Sequence, residues 1–103
     1  MAFYQLSVEA DQELDEILQY SFEQFGMDQM VKYNNQLVDC FEEITKPIGL
    51  YKTIKIEDEA IRSLHCQKHY IIALEDEELI FIMAIFHEKM DIMSRIKKRL
   101  KRD

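Results

Sequence analysis

Glycine and proline are nearly absent from this chain: two glycines and one proline among 103 residues. A chain so poor in both carries no collagen-like or linker-type segment, and its few breaks must fall where these residues stand. Long apolar runs are missing too. The longest, Leu79 to Phe86, has eight residues, far short of a membrane span. The N-terminus has no basic flank ahead of an apolar stretch, so no signal peptide is readable. Cysteine is scarce. With Cys40 and Cys66 alone, a disulfide framework is not expected; free thiols in a reducing cytoplasm are the simplest reading. No CxxC is present. His65, Cys66 and His69 lack a fourth ligand in sequence, so neither a metal nor another cofactor is expected.

What is present is a globular balance, 48% apolar and 32% charged residues, in a length that fits one domain over residues 1–103. The net charge of −7 is unevenly spread. Residues 1–94 hold 7 basic against 19 acidic groups, whereas residues 95–103 hold 6 basic groups and one acidic. An acidic body repels phosphate, so direct nucleic-acid binding through it is not expected. The basic end, a helix over about 92–103, has several readings: a solvated helix terminus that complements the macrodipole, a contact to an acidic partner, or a contact to DNA. A membrane surface is a weaker possibility, because the apolar face is short.

Hydrophobic spacing orders the elements. Tyr4, Leu6 and Val8 alternate as a first strand, closed by Ser7 at an N-cap position. Leu14, Ile17, Leu18, Phe22 and Phe25 then recur at helical spacing, and Met30, Leu37, Phe41 and Ile44 mark a second helix after Gly26. Two helices joined at one glycine predict an antiparallel hairpin, with Tyr20 and Tyr33 packed between them. Residues 51–56 read as a strand or an extended loop. Strands over 61–66 and 70–74 follow, then the acidic run 75–78 as a hairpin tip. Leu79 to Phe86 is apolar on both faces, the mark of an interior strand covered on both sides. Strict alternation sets Ile80, Ile82, Ala84 and Phe86 opposite Leu79, Phe81, Met83 and Ile85. Ile92, Ile96 and Leu100 define a short C-terminal helix, expected to start at an Asp91 N-cap with Met90 in the core. The fold class is therefore α+β: an N-terminal strand, a helical hairpin on a small antiparallel sheet, and a terminal helix. The second face of the sheet needs a cover, either this helix or a partner.

Ordered along the chain, particular residues resemble the ParE toxins of bacterial type II toxin–antitoxin modules, within the RelE/ParE superfamily. Helix one carries Ala10-x-x-Glu13-Leu14-x-x-Ile17-x-x-Tyr20, and the hairpin carries Phe25-Gly26-x-x-Gln29-x-x-x-Tyr33-x-x-Gln36-Leu37. Pro47 and Gly49 fall near the family's proline-glycine loop, Arg62 lies seven residues before His69, and His87-Glu88-Lys89-Met90-Asp91 matches its ending. The resemblance implies a toxin that acts by protein–protein inhibition, of DNA gyrase in several relatives, and that a cognate antitoxin neutralises within a hetero-oligomer. No catalytic residue follows. Candidates for target or antitoxin contact are Arg62, His69, His87, Met90, Arg95 and Lys98. The superfamily also holds RelE-type ribosome-dependent endonucleases, for which His69, His87, Arg62 and Lys89 would have to form the site. Ala73 and Ala84 stand where a tyrosine and an arginine are common, which counts against that chemistry. A toxin fold that only binds its antitoxin is the third reading. From the residues alone, His87 reads either as a contact group or as a ring bonded to a backbone carbonyl. Arg62 reads either as a contact or as an ion pair with the acidic body, and a short hairpin is expected to bring it near His69.

Overall fold

A computed structural model describes residues 3–76 and 78–101. Strand β1 (Phe3–Leu6) leads into helices α1 (Val8–Phe25) and α2 (Met27–Glu43). Strands β2 (Lys52–Ile56), β3 (Glu59–Cys66), β4 (His69–Asp76) and β5 (Leu79–His87) follow, and α3 (Ile92–Leu100) is the last element described. The sheet order is β1-β5-β4-β3-β2. Residues 51–56 thus contain a strand, and four strands follow the hairpin rather than three. The sheet is mixed, not wholly antiparallel: β1 lies parallel to β5, with Phe3 opposite Leu79 and Leu6 opposite Ile82. A strand reached through two helices can return in either direction, and the alternation of β1 alone does not choose between them.

Local chemistry explains the element boundaries. Ser7 caps α1 by accepting from the Ala10 N–H at 3.0 Å, while its own hydroxyl donates to the Met83 carbonyl. Val8, read as a strand residue from its alternation, instead opens the helix and is exposed. Gly26 sits between α1 and α2 with φ +92, a region other residues resist, so one residue ends one helix and starts the next. Nothing lies within 4 Å of a Cβ built there, so backbone conformation and not crowding selects glycine. Asp91 caps α3, its carboxylate accepting from the Ser94 N–H at 3.2 Å. The acidic run 75–78 is shared between elements: Glu75 and Asp76 belong to β4, and residue 77 lies outside the described residues.

The apolar residues form two clusters, one on each face of the sheet. Leu37, Phe41 and Ile44 of the second helical segment and Ala10 of α1 meet Leu64, Ile71, Ala73, Ile80, Ile82 and Ile85. On the other face Ile96 of α3, with Ile92 and Leu100, meets Ile56, Ile61, Ile72, Met83, Ala84 and Phe86. The protein therefore covers its own second face. A β-bulge changes the expected alternation of β5. Ile72 pairs with Ala84 and Ala73 with Ile82, so Met83 is the extra residue. Beyond it the faces exchange, and Ile85 joins the hairpin side while Ala84 and Phe86 join the α3 side.

The apolar stripe of α1 is buried less than its spacing predicts. Phe22 and Phe25 stay exposed, as does Tyr20, which does not pack between the helices. Leu14 and Ile17, nearer the start of the helix, are the members of the stripe that pack against the core. The cysteines also depart from expectation. Cys40 of α2 and Cys66 of β3 are joined as a disulfide, with Cα atoms 6.3 Å apart. Their 26-residue separation hid a contact made only when α2 lies across β3. The bond removes the free thiols on which the expectation of a reducing compartment rested.

Candidate partner-binding surface

The six contact candidates divide into one buried residue, one half-buried group at the end of the sheet and one exposed group on α3. Arg62, on β3, is only 8% exposed. Its guanidinium donates to the carbonyls of Ile44 at 2.7 Å and Lys46 at 3.1 Å, and to Glu75 Oε1 at 2.8 Å. It also lies over the Tyr51 ring, 4.5 Å from the centroid. Those carbonyls lie where α2 ends, and the Lys46 carbonyl also accepts from the Tyr51 hydroxyl, so the Arg62 guanidinium helps cap the helix terminus and ties α2 to β3 and β4. The expectation of His69 beside Arg62 fails. Arg62 is opposite Ala73, and His69 is opposite Cys66 at the far end of the same hairpin. A β-strand advances about 3.3 Å per residue, which puts the two well beyond contact.

The second group lies where β4 begins and β5 ends. His69 and His87 face each other across the ladder, their rings edge to face with centroids 5.2 Å apart. Tyr33 reaches down from α2 and bonds His69 Nδ1 at 2.6 Å. Burial pushes the Tyr33 phenol above its usual pKa, with the Lys68 backbone opposing and the Glu88 charge assisting. The phenol therefore keeps its hydrogen at pH 7, and which partner donates in this bond follows from the His69 tautomer. Burial, with the neighbouring His87, lowers the His69 pKa to about 4, so this ring is neutral at pH 7. His87 Nδ1 accepts from the Lys89 N–H at 3.2 Å. The ring is thus an acceptor toward the backbone, not a donor to a carbonyl. Glu88 turns away to His65 Nε2 at 2.9 Å, and His65 stacks on Tyr70 on the opposite side of the sheet. Met90 follows in the turn, its N–H bonded to the His87 carbonyl. It is 41% exposed and not part of the core.

Arg95 and Lys98 form the third group, exposed on α3 with Lys97 and Lys101. Arg99, not among the candidates, turns inward. It donates to the Met83 carbonyl at 2.6 Å and to Glu13 Oε2 at 3.1 Å, and lies 5.1 Å from the Phe86 ring centroid. Glu13 Oε1 accepts in turn from the Ile85 N–H. Past Leu6 the edge of β5 has no strand beside it, and Ser7, Glu13 and Arg99 satisfy the groups a strand would have bonded. Sequence gives no sign of this clasp, since Glu13 and Arg99 are 86 residues apart. Among the described residues no group of three or more histidine, cysteine or acidic side chains is placed to hold a metal. No described helix is long and apolar enough to cross a membrane.

A five-stranded sheet carrying a glycine-joined helical hairpin on one face and a short terminal helix on the other defines the class, and comparison with known proteins narrows it. The model of the ParE toxin family, of parDE type II toxin–antitoxin systems, matches residues 4–92. A toxin ParE of Escherichia coli is 31% identical over 102 residues, covering 98% of this protein and 99% of the relative. A structure of a chromosomal ParDE toxin–antitoxin system from P. aeruginosa matches in fold, with a TM-score of 0.71 at 15% identity over 84% of this protein and 96% of that one. The protein belongs to the ParE toxin family, as the toxin component of a type II toxin–antitoxin module.

Proposed function

We propose that this toxin acts by binding and not by catalysis, that its target is DNA gyrase, and that a cognate antitoxin neutralises it in a hetero-oligomer. The observation that carries the reading is the family match, which runs through nearly the whole sequence, hairpin and sheet together. Two features of the molecule support it. Arg62, the arginine carried by β3, is enclosed by carbonyls and Glu75, which removes it from any nuclease site. The body is acidic while α3 presents Arg95 and Lys98 outward, an arrangement suited to a protein surface or to DNA already held by gyrase. His69, His87, Met90, Arg95 and Lys98 remain the contact surface of this reading.

The test is a gyrase assay with the purified protein, scoring supercoiling and the accumulation of cleaved plasmid. Inhibition with cleaved DNA, reversed by the antitoxin, is the expected result. Reversing the charges of Arg95 and Lys98 to glutamate should weaken inhibition without loss of fold. Gyrase unaffected by a large excess of folded protein overturns the target. Codon-aligned cuts in a translated message would replace the whole reading with a RelE-type activity.

A further inference from the structure

The end of the sheet under Tyr33 has a chemistry that the fold does not use. The Tyr33 hydroxyl and His69 Nδ1 share one hydrogen across 2.6 Å, which the proposal below places on the oxygen, and His87 Nδ1 accepts from the Lys89 backbone N–H. A neutral imidazole has one donor and one acceptor nitrogen, so the Lys89 N–H holds His87 with its hydrogen on Nε2, and a donating Tyr33 hydroxyl holds His69 the same way. Neither Nε2 meets a hydrogen-bond partner among the described residues, where the buried unpaired side-chain polar atom is Arg62 Nε. Neither Nε2 is therefore fully sealed from solvent, and both rings are half-buried. That tautomer disfavours a metal, which needs the Nε2 lone pair free. It favours an acceptor.

With ring centres 5.2 Å apart, the two Nε2 atoms lie within about 7.5 Å of each other, a gap one carboxylate can span by accepting about 2.9 Å bonds at each oxygen. Lys68 and Lys89 flank the two rings in sequence. The carboxylate closest at hand, Glu88, is occupied by His65. A nucleic-acid phosphate would have to approach a body with 19 acidic groups against 7 basic ones, whereas a single carboxylate on an otherwise complementary polypeptide would not face that field alone.

We propose that His69 and His87, held as paired Nε2–H donors by Tyr33 and the Lys89 backbone, form a receiving site for one carboxylate side chain of a bound polypeptide. That this polypeptide is the antitoxin rests on the toxin reading above; the chemistry of the site does not.

Long-range proton–nitrogen spectroscopy of the imidazoles in the full-length protein at pH 7.5 reads both tautomers directly. The same spectra then follow titration with sodium acetate, with a capped Gly-Glu-Gly peptide, with inorganic phosphate, and with sodium chloride at matched ionic strength. Two Nε2–H tautomers are expected, with saturable shifts at His69 and His87 for acetate and peptide and none for chloride. His87→Ala should weaken binding about tenfold, the loss of one charge-assisted hydrogen bond. Tyr33→Phe, which leaves the ring packing in place, should let the His69 tautomer relax and weaken binding by a smaller factor. An Nδ1–H tautomer at either ring overturns the proposal, as do acetate shifts no larger than those of chloride. Tighter binding of phosphate than of either carboxylate, or acetate binding without peptide binding, would also overturn it. No readout involves gyrase or antitoxin, so the toxin reading and this site can fail separately.

Discussion

The two faces of the sheet are covered by different means. On one, thirty-five helical residues of α1 and α2 and the residue that follows them lay Ala10, Leu37, Phe41 and Ile44 on the strands, and two cross-links secure them: the Cys40–Cys66 bond and the Arg62 clasp. On the other, nine residues of α3 supply one fully buried side chain, Ile96. The long helical face is held by area and by ties at α2. The short one depends on Ile96 together with Arg99, whose bonds to Met83 and Glu13 pass round the unpaired edge of β5. A helix too short to hold itself by burial needs a directional anchor, and the bulge at Met83 turns a backbone carbonyl toward one.

The contrast can be broken most severely at Arg62. Arg62→Met should destabilise the fold by about 3–4 kcal/mol, because the Ile44 and Lys46 carbonyls and Glu75 lose a buried charged donor. Urea unfolding would measure it, and a loss below about 1 kcal/mol would show that the α2 terminus does not need the clasp. Reducing the Cys40–Cys66 bond should come next, costing about 3 kcal/mol for a loop of this length. A midpoint equal with and without reductant would contradict it.

Ile96→Ala tests the other face and should cost about 2–3 kcal/mol. Amide exchange should show the loss concentrated in α3 and in the bulged half of β5, with the α1–α2 amides still protected. Equal loss on both faces would mean that the two clusters unfold as one unit. The smallest effect is the pH dependence of His69. Its folded pKa, about 4, lies below the unfolded value of 6.5. The unfolded state therefore takes up a proton first as pH falls. Stability due to this group is complete above pH 6.5 and is lost as pH drops through 4. Partial exposure limits the loss to about 1–2 kcal/mol. His69→Phe should flatten that part of the profile.

Most of the hairpin was readable because its determinants are local. Gly26 between two helical stripes, Ser7 before Ala10 and Asp91 before Ser94 each act over three or four residues. The strands were readable as far as their apolar content went, but not the phase of β5, since a bulge inserts a residue without changing composition. The candidate contacts were legible as residue types and not as neighbours: His69 belongs with His87 and Tyr33, and Arg62 belongs with none of them. Tyr33 was legible as part of the hairpin motif and as a residue between the helices, not as the partner of His69.

The sequence by itself determined the order of the elements, the hairpin joined at one glycine, the strand covered on both faces and the likeness to ParE toxins, because each rests on spacing between residues. Only the tertiary structure decided the parallel edge strand, the Cys40–Cys66 bond, the enclosure of Arg62, and the pairing of His69 with His87 under Tyr33. Each of these joins residues whose separation in sequence says nothing about their distance in space, and packing of the helices on the sheet brings them together.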